Sequence, residues 1–230
     1  MGIDLEERAK RNVGRWAVDT YVRRGTCIGL GSGSTAFYAI ERAGELAQEG
    51  WELRAVATSA ETERMCTEYG ITLRGLTDEP IDVAIDGADE VAVDWSLIKG
   101  GGGALFREKA VAIAANTFVV IVTERKCVQK LGGFPLPVEV VPFSALYLAR
   151  RIEALGGKVT QRMRGGEPFT TDNGNAILDC NFGAIAAPAQ LDAALRNLHG
   201  VVTTGLFVGL TSRVMVGYDD GTIVEPARAT

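Results

Sequence analysis

The chain holds little from which to build a metal centre or a covalent crosslink. Its 230 residues include one histidine, His199, and four cysteines (Cys27, Cys66, Cys127 and Cys180) that form no CxxC pair. Zinc sites draw on clustered Cys and His, so no metal is assigned. The four thiols read as reduced core residues of a cytosolic protein. The opening "MGIDLEERAKR" is charged and has no hydrophobic signal region. Glu6 stands where a myristoylation signal requires Ser or Thr. The longest uncharged stretch, "AVAIAANTFVVIVT", is too short to span a bilayer and carries Asn116 within it. An excess of basic charge is also missing: 24 Lys and Arg against 29 Asp and Glu give a net charge of -5. That balance argues against nucleic-acid and anionic-membrane partners. The expectation is a soluble, cytoplasmic protein.

Helix-like and strand-like segments alternate through the first half. "LEERAKRNVGRWAVDTYV", "TAFYAIERAGELAQEG" and "SAETERMCTEYG" have helical patterning, and the last two end in glycine. "TCIGL", "LRAVAT", "IDVAI" and "FVVIVT" read as buried strands. This alternation predicts an α/β fold, a mostly parallel sheet with helices on both faces. Near "KLGGFPLPVEVVPF" the pattern changes. The remaining order, β-α-β-β-α-β, fits a smaller split-βαβ, ferredoxin-like α+β domain. The tail "RVMVGYDDGTIVE" reads as a hairpin turning at Asp220-Gly221. The expected division is 1–131 with 207–230 as the large catalytic domain, and 132–206 as a small lid or oligomerisation domain. Phe106, Phe118, Phe143 and Tyr147 fit core positions, and His199 a helix C-terminal cap.

Ligands of open parallel sheets bind beyond the carboxyl ends of the strands, where three loops stand out. The first is "GLGSGSTA", Gly29 to Ala36. Its glycines allow backbone N–H groups to turn toward a guest, Ser32, Ser34 and Thr35 add hydroxyls, and a helix N-terminus follows. The competing reading is a tight turn capped by Ser34. A dinucleotide fingerprint would need a third glycine at Ser34 and an acidic residue after the second strand, and a P-loop would need a lysine. The loop therefore suggests phosphate without a nucleotide. The second loop is "DGADE", in which Gly87 and Ala88 are small enough for Asp86 and Asp89 to share a pocket. Two such carboxylates could hold a sugar hydroxyl, relay a proton or bind a divalent ion.

The third is "IKGGGGALFREK", Ile98 to Lys109. Four consecutive glycines lose much backbone freedom on folding, so a run between apolar "WSLI" and "ALF" implies a use for bare backbone. Amides of Gly100, Gly101 and Gly102 can stabilise developing negative charge, with the Lys99 ammonium beside them. Beyond Lys109 the helix is apolar all round, and Glu108 projects between the directions of Val111 and Ala112. A carboxylate so placed is expected to have a raised pKa, which suits a general base.

Taken in order, "GLGSGSTA", "DGADEV", "KGGGGALFREK", "FPLPVEVVP", "TDNGNAILD" and "GVVTTGLF" closely resemble the A-type ribose-5-phosphate isomerases over essentially the whole chain. The resemblance implies a Rossmann-like domain with a smaller α/β lid, assembled as a homodimer or larger. It implies interconversion of ribose 5-phosphate and ribulose 5-phosphate without metal or organic cofactor. By motif position Glu108 matches the catalytic base, and Ser32, Gly33, Ser34 and Thr35 match the phosphate-side loop. Asp86 to Asp89 and Lys99 to Gly102 match sugar-contacting segments, and Lys126 a further substrate-binding lysine. Ser32 replaces a usual threonine, Gly103 a frequent alanine, and "TERK" a more usual Ala-Asp-Ala/Ser-Lys.

The expected mechanism has Glu108 moving a proton between C1 and C2, with Lys99 and the glycine amides on the enediolate oxygen. Asp86 or Asp89 would assist ring opening. Two other classes compete. A non-catalytic sugar-phosphate sensor would use the same phosphate loop but has no need of Glu108 in an apolar setting. An acyl-CoA transferase with a glutamate nucleophile would need a CoA-binding stretch, and none is evident.

Overall fold

The computed structural model describes residues 4–229. Along the chain, α1 (Leu5–Tyr21) is followed by β1 (Cys27–Leu30), α2 (Ser34–Gln48), β2 (Arg54–Ala57), α3 (Ala60–Glu68), β3 (Thr72–Leu73) and β4 (Val83–Asp86). Two short strands, β5 (Glu90–Ala92) and β6 (Leu97–Ile98), lead to α4 (Leu105–Ala114), β7 (Phe118–Thr123) and β8 (Cys127–Val128). Next come β9 (Leu136–Val140), α5 (Ala145–Glu153), β10 (Lys158–Gln161), β11 (Met163–Arg164), β12 (Glu167–Pro168) and β13 (Ala176–Asn181). The remaining elements are α6 (Pro188–Arg196), β14 (Val201–Thr204), β15 (Leu206–Phe207), β16 (Arg213–Gly217) and β17 (Ile223–Val224).

The chain divides into two compact units. The first takes the described residues up to Ala88, then Arg107–Cys127 and the residues from Leu210 onward. Its seven-stranded sheet runs β17-β16-β7-β4-β1-β2-β3, and every pairing except β16 with β17 is parallel. Strands β1, β4 and β7 are buried along their whole length. Their apolar runs are therefore continuous rather than alternating, as a sheet covered on both faces requires. From β1 the chain steps outward to β2 and β3, then returns to place β4 on β1's other edge. That reversal is the topological switch point of a Rossmann-like sheet, and the carboxyl ends of β1 and β4 flank it.

The second unit comprises Asp89–Phe106 and Val128–Gly209. Its main sheet, β10-β13-β9-β14, is antiparallel throughout. With α5 and α6 it reproduces the split-βαβ order read from the sequence. The sheet packs Leu136, Val138, Val140, Leu148, Ile152, Leu178 and Leu195 into one core. Strands β11 and β12 form a hairpin, and a further sheet runs β15-β6-β5-β8.

This division differs from the expected boundaries at 131/132 and 206/207. Residues 89–106 fall in the second unit because β5 and β6 pair with each other and β6 pairs with β15. Such short strands carry little alternation to signal them. Of the aromatics expected in the core, Phe118 is buried, whereas Phe106, Phe143 and Tyr147 are exposed. Helix α5 buries Ala145, Leu148 and Ile152, and the neighbouring Phe143, Leu146 and Tyr147 lie off that face. Cys27, Cys66 and Cys180 are buried as expected, but Cys127 is exposed. Burial pushes the thiol of Cys66 up to about 11 and that of Cys180 up to about 12. His199 lies beyond the α6 C-cap, Asn197, and is exposed. Among the described residues no helix is long and apolar enough to cross a membrane.

The α1–α2 contact carries a charge network. Arg15 grips both oxygens of Glu45 at 2.6 and 2.7 Å, and Arg42 Nη1 adds a contact at 2.8 Å. Hydrogen bonding from Arg15, then from Arg42, holds the Glu45 carboxyl at about 2 instead of 4.5. A carboxyl depressed in the folded state stabilises it fully above the unfolded value and loses that contribution as pH falls toward the folded one. Surface networks of this kind are worth about 0.5–1 kcal/mol. Glu45→Gln is therefore expected to lower Tm by about 1–4 °C at neutral pH. Thermal scans should show the gap between variant and parent shrinking from about pH 4.5 downward, and an undiminished gap at about pH 3 would rule out Glu45 titration as its source.

Candidate active site

At the switch point, residues following β1 and β4 are joined directly. Asp86 Oδ1 accepts the Ser32 N–H at 3.0 Å and the Gly87 N–H at 2.7 Å. A Cβ on Gly31 would lie 2.0 Å from that same oxygen, so the position excludes any side chain. Gly33 adopts φ +91° and caps α2 without a side-chain hydrogen bond. Ser34 is thus the first helical residue rather than the cap, with Thr35 next. The N–H groups of the first turn are left facing outward, where an anion would meet both free donors and the positive helix end.

Behind Ser32 lies a group of hydroxyls that the sequence reading did not single out. Ser32 Oγ donates to Ser59 Oγ at 3.0 Å and lies 2.8 Å from Thr58 Oγ1 and 3.3 Å from Thr62 Oγ1. Thr58 and Thr62 in turn donate to the carbonyls of Leu30 and Gly31. Thr58 and Ser59 lie in the β2–α3 connection, where the sequence reading asked only for an acidic residue after the second strand, and Thr62 follows in the first turn of α3. The available signal was three hydroxyl residues in five positions at a strand's carboxyl end. Ser59 also caps α3, accepting the Thr62 N–H at 3.1 Å.

Glu108 lies in the first turn of α4 and is 5% exposed, with Val111 and Ala112 buried beside it on the helix. The carboxylate is withdrawn from bulk solvent, as the apolar character of this helix required. Arg107, whose charge opposes the helix dipole, forms an ion pair with Glu63 of α3 at 3.1 Å. Lys126 ends the 3₁₀ turn after β7, at the carboxyl edge of the same sheet, and is half-buried.

The other sequence-predicted residues belong to the second unit. Lys99 is 2% exposed, its Nζ sits 5.6 Å from the Phe207 ring centroid, and its N–H donates to the Gly205 carbonyl. The glycine run is a structured turn. Gly100 and Gly103 have φ of +97° and +93°, and the Gly103 N–H closes on the Gly100 carbonyl at 3.0 Å. Asp89 Oδ2 accepts the Gly101 N–H at 2.7 Å. Of the amides expected to face a substrate, that of Gly101 is therefore engaged within the protein, while the Gly102 N–H meets no protein acceptor among the described residues. Arg162, also unremarked in the sequence, donates through Nη1 to the carbonyls of Gly100 at 2.8 Å and Gly101 at 3.0 Å. Glu90, next to Asp89, is occupied elsewhere: its oxygens accept the N–H groups of Gly132 and Phe134. Among the described residues no group of three His, Cys, Asp or Glu side chains is placed to hold a metal ion.

These features define a Rossmann-like α/β protein with an anion-ready, hydroxyl-lined loop at its switch point and a split-βαβ second unit. Residues 54–221 match the family model of ribose 5-phosphate isomerase A (phosphoriboisomerase A). The ribose-5-phosphate isomerase A of Thermomicrobium roseum is 49% identical over 94% of this chain and 92% of its own. The ribose 5-phosphate isomerase structure from Plasmodium falciparum superposes with a TM-score of 0.93 at 34% identity, covering 97% of this chain and all of the other. A D-ribose-5-phosphate isomerase in complex with phospho-erythronic acid matches with a TM-score of 0.91 at 34% identity, over 98% of this chain and all of that one. The chain belongs to the ribose 5-phosphate isomerase A family.

The tight approach of Gly31 to Asp86 yields a direct test. Gly31→Ala forces either the loop or the carboxylate to move, and overpacking of this kind costs about 1–3 kcal/mol. The expected result is a Tm lower by about 2–12 °C together with weaker binding of inorganic phosphate by calorimetry. Unchanged phosphate binding would show that the Asp86–Ser32 contact does not shape the anion site.

Proposed function

We propose that the protein is an aldose–ketose isomerase that interconverts D-ribose 5-phosphate and D-ribulose 5-phosphate, with Glu108 as the base. The observation that carries this reading is the buried carboxylate of Glu108 in a chain of this family. The relative's complex with phospho-erythronic acid supports a ligand with a phosphate at one end and a planar, negatively charged carboxylate, resembling an enediolate, at the other.

The phosphate is held by the N–H groups and hydroxyls of Ser32, Gly33, Ser34 and Thr35, with Lys126 adding charge. Asp86 and Asp89 hold sugar hydroxyls, and one of the pair serves the ring oxygen during opening. In the open-chain aldose, Glu108 removes the C2 proton, and the electron pair moves to form the C1–C2 double bond and an oxyanion at O1. Lys99 and glycine-run amides stabilise that oxygen as its charge develops, in a setting where such donors act strongly. The Glu108 carboxylic acid then returns the proton to C1, and transfer of the hydroxyl proton from O2 to O1 leaves the ketose. Protons and an electron pair only change places within the substrate, so the reaction as proposed requires no redox partner, metal or organic cofactor. The same reading places the protein in the non-oxidative branch of the pentose phosphate pathway and in the cytoplasm. It works as a homo-oligomer, for which the exposed Phe143, Leu146 and Tyr147 supply an apolar face.

Chelator-treated protein incubated with ribose 5-phosphate is expected to form ketose, and its absence would defeat the proposal. Glu108→Gln should lower kcat by about 10²–10⁴-fold, the range for a lost general base, while retaining affinity for phospho-erythronic acid to within a few-fold. Near-normal turnover by this variant would remove Glu108 from the mechanism. Light scattering after gel filtration tests the assembly: Leu146→Glu should shift an oligomer toward monomer, and a parent protein already monomeric would contradict that part.

A further inference from the structure

The glycine run is held from behind by a side chain to which the chemistry above assigns no part. Arg162, just after β10, is 13% exposed at its side chain and spends its guanidinium in two directions. Nε and Nη2 form a two-pronged pair with Asp179 of β13, at 2.9 and 2.5 Å. Nη1, with two hydrogens, reaches the carbonyl oxygens of Gly100 and Gly101. A planar fork anchored on one carboxylate is a rigid support, and no other side chain could supply these four bonds from one group.

The consequence for the loop follows from peptide geometry. Every peptide here is trans, so the C=O and N–H of each unit point in opposite directions. In the Gly100–Gly101 peptide, Arg162 holds the oxygen and Asp89 accepts the N–H, which fixes both ends. In the Gly101–Gly102 peptide, Arg162 holds the oxygen only. The Gly102 N–H is thereby turned away from the guanidinium, on an exposed residue, with no protein acceptor among the described residues. The far side of the turn is also braced: a Cβ on Gly103 would lie 2.4 Å from Phe169, whose ring stacks 5.9 Å from Arg162 and 4.4 Å from Arg164. Without side chains, four glycines would otherwise sample many orientations.

We propose that Arg162, locked by Asp179, is a positioning residue that aims the Gly102 N–H as an oxyanion donor for the isomerisation. The inference rests on the reading that the glycine run faces the enediolate oxygen. Arg162 itself never touches substrate; it acts by fixing a peptide plane before the charge develops. Donors contribute in this way only when they need no reorganisation at the moment of reaction.

The test compares Arg162→Lys and Asp179→Asn with the parent, measuring kcat and KM for ribose 5-phosphate, inhibition by phospho-erythronic acid, and Tm. Lysine keeps the charge but cannot bridge a carboxylate and two carbonyls. Arg162→Lys should lower kcat by about 10–100-fold, as misplaced donors do, with KM changed by less than about 3-fold. Inhibition by phospho-erythronic acid should weaken in step with kcat, because its carboxylate draws on the same donor. Asp179→Asn, which retains the guanidinium but loosens its anchor, should give the same pattern at smaller size. Guanidinium ion added to Arg162→Ala should restore part of the lost kcat. Unchanged kcat in Arg162→Lys would overturn the proposal. So would a loss in which kcat, substrate affinity and Tm fall together in both variants without guanidinium rescue, since that marks a structural brace. Glu108→Gln run alongside separates the two claims. If it abolishes turnover while Arg162→Lys leaves kcat unchanged, only the positioning role fails; if it retains turnover, the mechanism beneath it fails.

Discussion

One carboxylate oxygen organises the loops at the switch point of the first unit. Asp86 Oδ1 receives N–H groups from Ser32 and Gly87, so the residues after β1 and those after β4 share a single acceptor. Parallel strands cannot be joined by a tight turn, and their ends must be tied by such non-local bonds. Gly31 is bare because the oxygen occupies the space of its Cβ. The hydroxyls of Ser32, Thr58, Ser59 and Thr62 then settle around the same corner, each satisfied by another or by a backbone carbonyl. Polar groups in this crevice are thus arranged before any ligand arrives, which reduces what binding must spend on ordering.

The second unit solves a related problem by different means. Its glycine run has no side chains with which to hold itself, and its order is imposed from outside by Asp89, Arg162 and Phe169. Buried acids recur in this unit as backbone organisers. Glu90 gathers the turn around Gly132 and Phe134, and Glu139, wholly buried on β9, accepts from Thr171 and Asn175. In each case a carboxylate satisfies donors that a loop cannot satisfy internally, which is what allows irregular backbone to lie against a core.

Much of this was legible because it is local. The long helices, the fully buried strands and the hairpin after β16 carry periodicity or turn residues within a few positions of one another. The loops at strand ends were visible from composition, and Glu108 from the apolar helix behind it. What escaped was long-range or brief. Arg162 lies 62 residues from Gly100, and nothing near it announces the carbonyls it supports. Strands of two or three residues, such as β5 and β6, leave no measurable alternation, so residues 89–106 were expected with the large domain, whereas they cluster with the second unit. Phe143 and Tyr147 were read as core because they are aromatic, but the face of α5 is set by Ala145, Leu148 and Ile152. Thr58 and Ser59 were weighed for a missing acid rather than for the hydroxyls present, and Thr62 was not weighed at all.

The interleaving of the two units also bears on how the chain is made. β7 sits inside the large sheet, with β4 on one edge and β16 on the other, yet the whole of Val128–Gly209 is synthesised before β16 emerges. During that interval a six-residue strand, apolar up to its terminal Thr123, keeps one edge of unpaired amides and carbonyls open. Such an edge is a template for pairing with another nascent chain. Ribosome pausing or a codon change that lengthens this interval would therefore threaten yield in the cell without altering a single atom of the finished molecule.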